Sequence, residues 1–205
     1  MWVAAGDLGY PFGPLFQLLL ATGQRRDEVA NARWSMIDMD EALWTIASLD
    51  TKADRGDHLV PLNSVAMSIV IALPRIDSSD LLFPTSSNAN RSVSGFSKAK
   101  TRCDQSTASE DFSKAGMIPV SDWRLHDLRR TMATVMEDEL RIAPHVIGAC
   151  LNHDPKSYKG ITATYTVGRL LDDRRRALDA WGQKLEIILN PGTTENVVPM
   201  KKVEK

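Results

Sequence analysis

SDWRLHDLRRTMATVMED, residues 121–138, is the stretch on which the reading of this chain turns. Polar residues suited to capping stand at 121–123, and Leu128, Met132, Val135 and Met136 then fall on one face at helical spacing. His126 and Arg129, three apart, share another face. The spacing predicts a helix that presents an imidazole and a permanently charged guanidinium side by side. Taken alone, such a pair is common on helices and carries little meaning.

Toward the amino terminus, Leu15, Phe16 and Leu18–Leu20 follow Pro14 and end at Gly23, which predicts a buried helix with proline at its start and glycine past its end. A short helix is expected from Gln24 to Asn31, inside ATGQRRDEV at 21–29. Trp34–Asp38, Ala42–Ala47 and His58–Leu62 read as three short strands of a small antiparallel sheet. The polar connection LDTKADRGDH puts Lys52 on an exposed hairpin. A helix over Asn63–Leu73 is stopped by Pro74, and 84–95, rich in serine and asparagine, reads as a surface loop. A helix near Phe96–Arg102 and a weaker one around Ser106–Lys114 complete this half.

Toward the carboxyl terminus, Pro144 opens a helix whose Val146, Ile147 and Cys150 face inward, and LNH at 151–153 puts His153 at its end. DPKSYKG breaks the pattern. A long helix then carries Leu171, Leu178, Leu185 and Ile188 as an apolar stripe, with Tyr165 just ahead of it. From Asn190 onward no periodicity remains, so 191–205 reads as a tail that is flexible or docks on a neighbouring subunit.

The 205 residues suffice for one domain with a full core, and 43% apolar with 25% charged residues is the balance of a soluble globular protein. No stretch approaches the ~20 apolar residues of a membrane span, and the opening lacks the basic start and apolar core of a secretory signal, so the expected location is the cytoplasm. Cys103 and Cys150 sit in no paired motif and read as reduced, buried thiols. A net charge of −1 removes bulk charge as a route to nucleic acid, leaving only local patches. Arg91, Lys98, Lys100 and Arg102 form one acid-free stretch, and Arg174–Arg176 are consecutive.

In order along the chain stand ATGQRRDEV, TK at 51–52 before HLVPL, HDLRRT at 126–131, LNH at 151–153 and TATY at 162–165. This ordered set, spanning residues 21 to about 185, resembles the tyrosine recombinase family, and its LNH form and the length between His153 and Tyr165 look closer to prophage integrases than to the shorter LGH pattern of chromosome-dimer resolvases. The resemblance implies an α+β, mostly helical catalytic-domain fold over 1–190 with a small three-stranded antiparallel sheet. It implies Tyr165 as nucleophile, with Arg25, Lys52, His126, Arg129 and His153 assisting. It also implies site-specific recombination of double-stranded DNA at attachment sites by four protomers, aided by DNA-bending or directionality proteins. An amino-terminal DNA-clamping domain belongs to the family, and the residues ahead of the first catalytic helix leave no room for one.

The chemistry fits those residue types. A phosphodiester gains negative charge as it is attacked, and two planar guanidiniums suit that charge. Tyrosine, with a reference pKa near 10, needs help to lose its proton or a stabilised phosphorane to attack. Both histidines can donate to phosphate oxygens or move a proton, and Lys52 suits the acid that protonates the departing 5′ oxygen. Such chemistry calls for no cofactor and no metal, in keeping with the lack of a carboxylate cluster near the motifs. Glu28, three after Arg25, reads as its support. Arg91, Lys98, Lys100, Arg102 and Arg130 read as contacts to the DNA backbone.

Each residue also has a plain reading. Arg25 alone is a helix cap or surface arginine, Lys52 a solvated hairpin lysine with Arg55 as rival, and His126 and His153 helix-end histidines. Of three tyrosines, Tyr158 rivals Tyr165 and Tyr10 lies ahead of the motifs. His58 and His145 read as ordinary, and Trp123 and Trp181 as core aromatics. Two competing functions are a strand-relaxing topoisomerase with the same chemistry and an inactive DNA-binding module.

Overall fold

The apolar run after Pro11 forms α2 (Phe12–Thr22), in which Leu15, Phe16, Leu18 and Leu19 are at most 2% exposed. Each such side chain contributes ~1.5–3 kcal/mol by leaving water, so this helix is the centre of the core. It packs against α1 (Trp2–Asp7), α4 (Ser64–Ala72), α6 (Leu125–Asp138) and α8 (Thr162–Leu189). A computed structural model describes residues 1–48, 56–109, 120, 122–153 and 162–191, with backbone alone for 162–169. The elements that remain are α3 (Arg26–Ala30), α5 (Phe96–Thr107), α7 (Pro144–Cys150) and five short strands.

Gly23 ends α2 in the left-handed region at φ 64°, with its N–H donating to Leu19 O at 2.9 Å. The positive φ calls for glycine, and the Met132 thioether of α6 packs into the space that a Cβ would take. The turn that follows is thereby aimed at the HxxR helix.

Strands β1 (Ile37–Asp38), β2 (Leu43–Ile46) and β3 (His58–Pro61) form an antiparallel sheet in that order. Trp44 and Val60 are register partners, each 1% exposed, and they seat the sheet on the core. The expected α+β, mostly helical architecture with a three-stranded sheet is therefore observed.

Several local expectations are corrected. Trp34–Met36 is a 3-10 turn rather than strand, which shortens β1 to two residues. The stretch expected to be a loop holds a hairpin, β4 (Pro84–Thr85) with β5 (Asn88–Ser92), tied by Thr85 Oγ1 and the Asn88 backbone. Tyr165 lies within the first turn of α8 rather than ahead of it. The α8 stripe holds at Leu178 and Leu185, but Ile188 is 54% exposed; Leu189 turns toward the groove beside Trp2 and Ile69. The basic run at 174–176 forms no patch: Arg174 is buried and donates to Leu59 O at 2.9 Å, Arg175 donates to Glu41 O, and Arg176 pairs with Asp173. Trp181 is buried, with its indole N–H on Leu20 O at 3.0 Å. Among the described residues no helix is long and apolar enough to cross a membrane.

Candidate active site

Two helix starts are built by the same device. At α3, the Arg25 N–H donates to Glu28 Oε2 at 2.7 Å, while Arg25 Nη1 donates to Glu28 Oε1 at 2.8 Å. At α6, the Arg124 N–H donates to Asp127 Oδ2 at 2.8 Å. A carboxylate three residues on thus satisfies an otherwise orphan amide and sits at the positive end of the helix. The cap of α6 is Asp127 rather than the polar residues at 121–123 expected from the sequence. Glu28 fixes both the backbone and the guanidinium of Arg25.

The carboxyl end of α7 supplies the complement. Three successive carbonyls there have no partner within the helix, and each takes a distant donor. Cys150 O accepts from Gln24 Nε2 at 3.0 Å, Leu151 O from Arg129 Nη2, and Asn152 O from Arg25 Nη2 at 3.3 Å. Arg129 Nη1 also donates to Gly23 O at 2.7 Å. Both guanidiniums therefore rest on consecutive carbonyls of one turn. Burial, the nearby Arg25 charge and the opposing Glu28 carboxylate together leave the Arg129 pKa down at about 10, so it stays charged at neutral pH.

Arg25, His126 and Arg129 line one cleft of about 450 Å³, together with Arg26, Lys100 and Arg124. His153 follows the α7 turn, its N–H on Gly148 O at 2.9 Å. Its pKa is pulled below the ordinary histidine value, first by burial and then by the charges of Arg129, Arg25 and His126, which places all four within electrostatic reach. Two arginines and two histidines from three separated motifs are thus gathered about a basic, open surface. Such a surface can bind a phosphodiester, stabilise charge that grows on it and move a proton nearby.

The remaining candidates fare differently. Lys52, its rival Arg55 and Tyr158 lie outside the described residues, as do 110–119 and the tail from 192. Tyr165 is placed by its backbone, in the opening turn of α8. Of the five backbone-contact candidates, Lys100 alone lines the cleft, held by Asp104 at 2.6 Å and stacked 4.9 Å over Trp123. Arg91, Lys98, Arg102 and Arg130 are exposed beyond that lining, Arg130 beside Asp127 at 3.4 Å.

Four residues went unremarked or were read as ordinary. Arg26, 5.0 Å over the Phe96 ring, and Arg124 both line the cleft, and the available signal was their position, Arg26 within ATGQRRDEV and Arg124 two residues before HDLRRT. Gln24 and His58 form a buried pair behind the arginines, Nε2 to Oε1 at 3.1 Å. The alternation of β3 puts His58 on the same inward side as Val60.

Comparison with known proteins bears on the family and the fold. The family model described as Phage integrase family matches residues 10–167. Prophage integrase IntA of Escherichia coli (strain K12) is 29% identical over 82% of this chain, and Prophage integrase IntF of the same organism is 25% identical over 97%. The chain spans only 37% and 39% of the length of those relatives. Among solved structures, XerA recombinase superposes with a TM-score of 0.51 at 18% identity, covering 93% of this chain and 61% of that one. The Tn1549 transposon integrase in complex with circular intermediate DNA gives 0.54 at 12% identity, covering 82% and 64%. These two show a shared fold.

Proposed function

Because the chain belongs to the phage integrase family, we propose that it is the catalytic part of a site-specific DNA recombinase that cuts and rejoins double-stranded DNA through a 3′-phosphotyrosyl intermediate. The observation that carries this reading is the meeting of Arg25, His126 and Arg129 in one cleft, with His153 next to the Asn152 carbonyl that holds Arg25. The Tn1549 integrase, solved with circular intermediate DNA, lends the substrate class.

In the proposed reaction Arg25 and Arg129 hold the non-bridging oxygens of the scissile phosphate and neutralise the charge that builds there. The Tyr165 oxygen attacks phosphorus, the bond to the 5′ oxygen breaks, and that oxygen leaves as a hydroxyl with a proton from Lys52. His126 and His153 donate to the phosphate and handle the tyrosine proton. The phosphotyrosyl bond conserves the phosphodiester linkage, so a 5′ hydroxyl from another strand reverses the step and joins new partners. Residues 1–190 act as the catalytic domain, and four such protomers work on two duplexes in the cytoplasm, with helper proteins setting direction.

The test is a nicked suicide duplex whose cleaved 5′ fragment diffuses away. The expected product is a protein–DNA adduct that disappears on protease treatment and is absent from Tyr165→Phe. An adduct that survives Tyr165→Phe moves the nucleophile to Tyr158, and a wild-type protein that forms none at low salt overturns the reading. Rejoining to the original strand alone, without exchange between duplexes, points to relaxation.

A further inference from the structure

Gln24 and His58 take part in none of the steps above, yet they are 1% and 6% exposed and directly bonded. Gln24 Nε2 donates to Thr22 O at 2.9 Å and Cys150 O at 3.0 Å, and those two carbonyls fix which end of the amide is nitrogen. The amide oxygen therefore faces His58 Nε2 at 3.1 Å, and the imidazole carries its proton on that nitrogen. Burial foremost, and then the charge of Arg174, hold the His58 pKa down to about 4, so the ring stays neutral.

The pair joins three backbones. Gln24 stands between Gly23, whose carbonyl takes Arg129 Nη1, and Arg25 itself. Its side chain reaches the α7 turn whose next two carbonyls take both arginines. His58 brings in β3, which Arg174 also anchors through Leu59 O. An apolar pair would fill the same space without desolvating an amide and an imidazole.

We propose that Gln24 and His58 are positioning residues for phosphate capture: their buried bond locks the 22–25 turn against the 150–152 carbonyls, so that Arg25 and Arg129 present their guanidiniums at a set separation. This rests on the reading of those arginines as the phosphate grip.

The test compares single-turnover cleavage of a bound suicide duplex carrying either a normal scissile phosphate or a methylphosphonate. A methyl in place of one oxygen removes the charge that the guanidiniums neutralise, so the reaction depends less on their placement. His58→Leu is expected to slow cleavage of the normal substrate ~100-fold, the scale of an ångström-level misplacement, and to slow the methylphosphonate less than ~10-fold. Its Kd for uncleaved duplex stays near wild type. His58→Gln, which returns an N–H at about the reach of Nε2, recovers most of the rate.

Equal losses on both substrates, or wild-type cleavage by His58→Leu, overturn the proposal. Should His58→Leu not fold, His58→Asn takes its place, because its shorter amide leaves the Gln24 oxygen without a donor, and equal losses there have the same meaning. The wild-type adduct and its absence from Tyr165→Phe check the underlying reading separately.

Discussion

His58 is a base kept uncharged inside the protein, which ties stability to pH. Unfolded, it takes a proton near pH 6.5; folded, only near about 4. Between those values the unfolded chain binds the proton and the native chain does not, so stability is complete above the higher value and falls as pH drops to the lower one. The loss attributable to this one ring is about 3 kcal/mol. Urea unfolding at pH 7 and pH 4 is expected to show a decrease that His58→Gln reduces by that amount; an unchanged decrease would remove His58 as its source. At this scale much of the site was legible, because Arg25, His126, Arg129 and His153 lie in motifs whose order identifies them. Gln24 was not, since an amide beside an arginine has no local pattern, and its role comes from partners 34 and 126 residues away.

Among elements, the join of α2, α4 and α8 depends on Asn63. Its Oδ1 caps α4 by accepting from Ala66 N at 2.9 Å, while Nδ2 donates to Ala21 O at 3.0 Å and Leu178 O at 3.1 Å. Gly182 of α8 lies so close that a Cβ there would stand 2.8 Å from the Asn63 Cβ. Asn63→Asp keeps a good capping oxygen but turns a double donor into a charge facing two carbonyls. It is expected to cost ~2–4 kcal/mol in urea melts, and a neutral result would show that the cap alone matters. Long elements with strong periodicity were readable from the sequence, α2, α6 and α8 above all. The helix α1 has six residues and no room for a period; its Ala4 and Ala5 are buried because Gly13 of α2 allows close approach. The β4–β5 hairpin carries no apolar alternation in NANRS, so only its backbone pairing reveals it.

For the molecule as a whole, a net charge of −1 coexists with a cleft lined by Arg25, Arg26, Lys100, Arg124 and Arg129. On the proposed reading, DNA affinity is set by a few local phosphate contacts, each worth about 0.9 in the slope of log K against log salt. Arg124→Ala is expected to weaken duplex binding and flatten that slope by roughly one such increment. Arg75→Ala removes the same charge from a side chain stacked on Trp34 outside the cleft, and leaves the slope in place. Equal slopes for both variants, by fluorescence anisotropy across a salt series, would show that total charge governs binding. The end of α7 couples these contacts to one another. Because a single turn of backbone docks Gln24, Arg129 and Arg25 and leads into His153, fraying of that turn releases both guanidiniums together, so on the proposed reading the phosphate grip is lost as a unit rather than one arginine at a time.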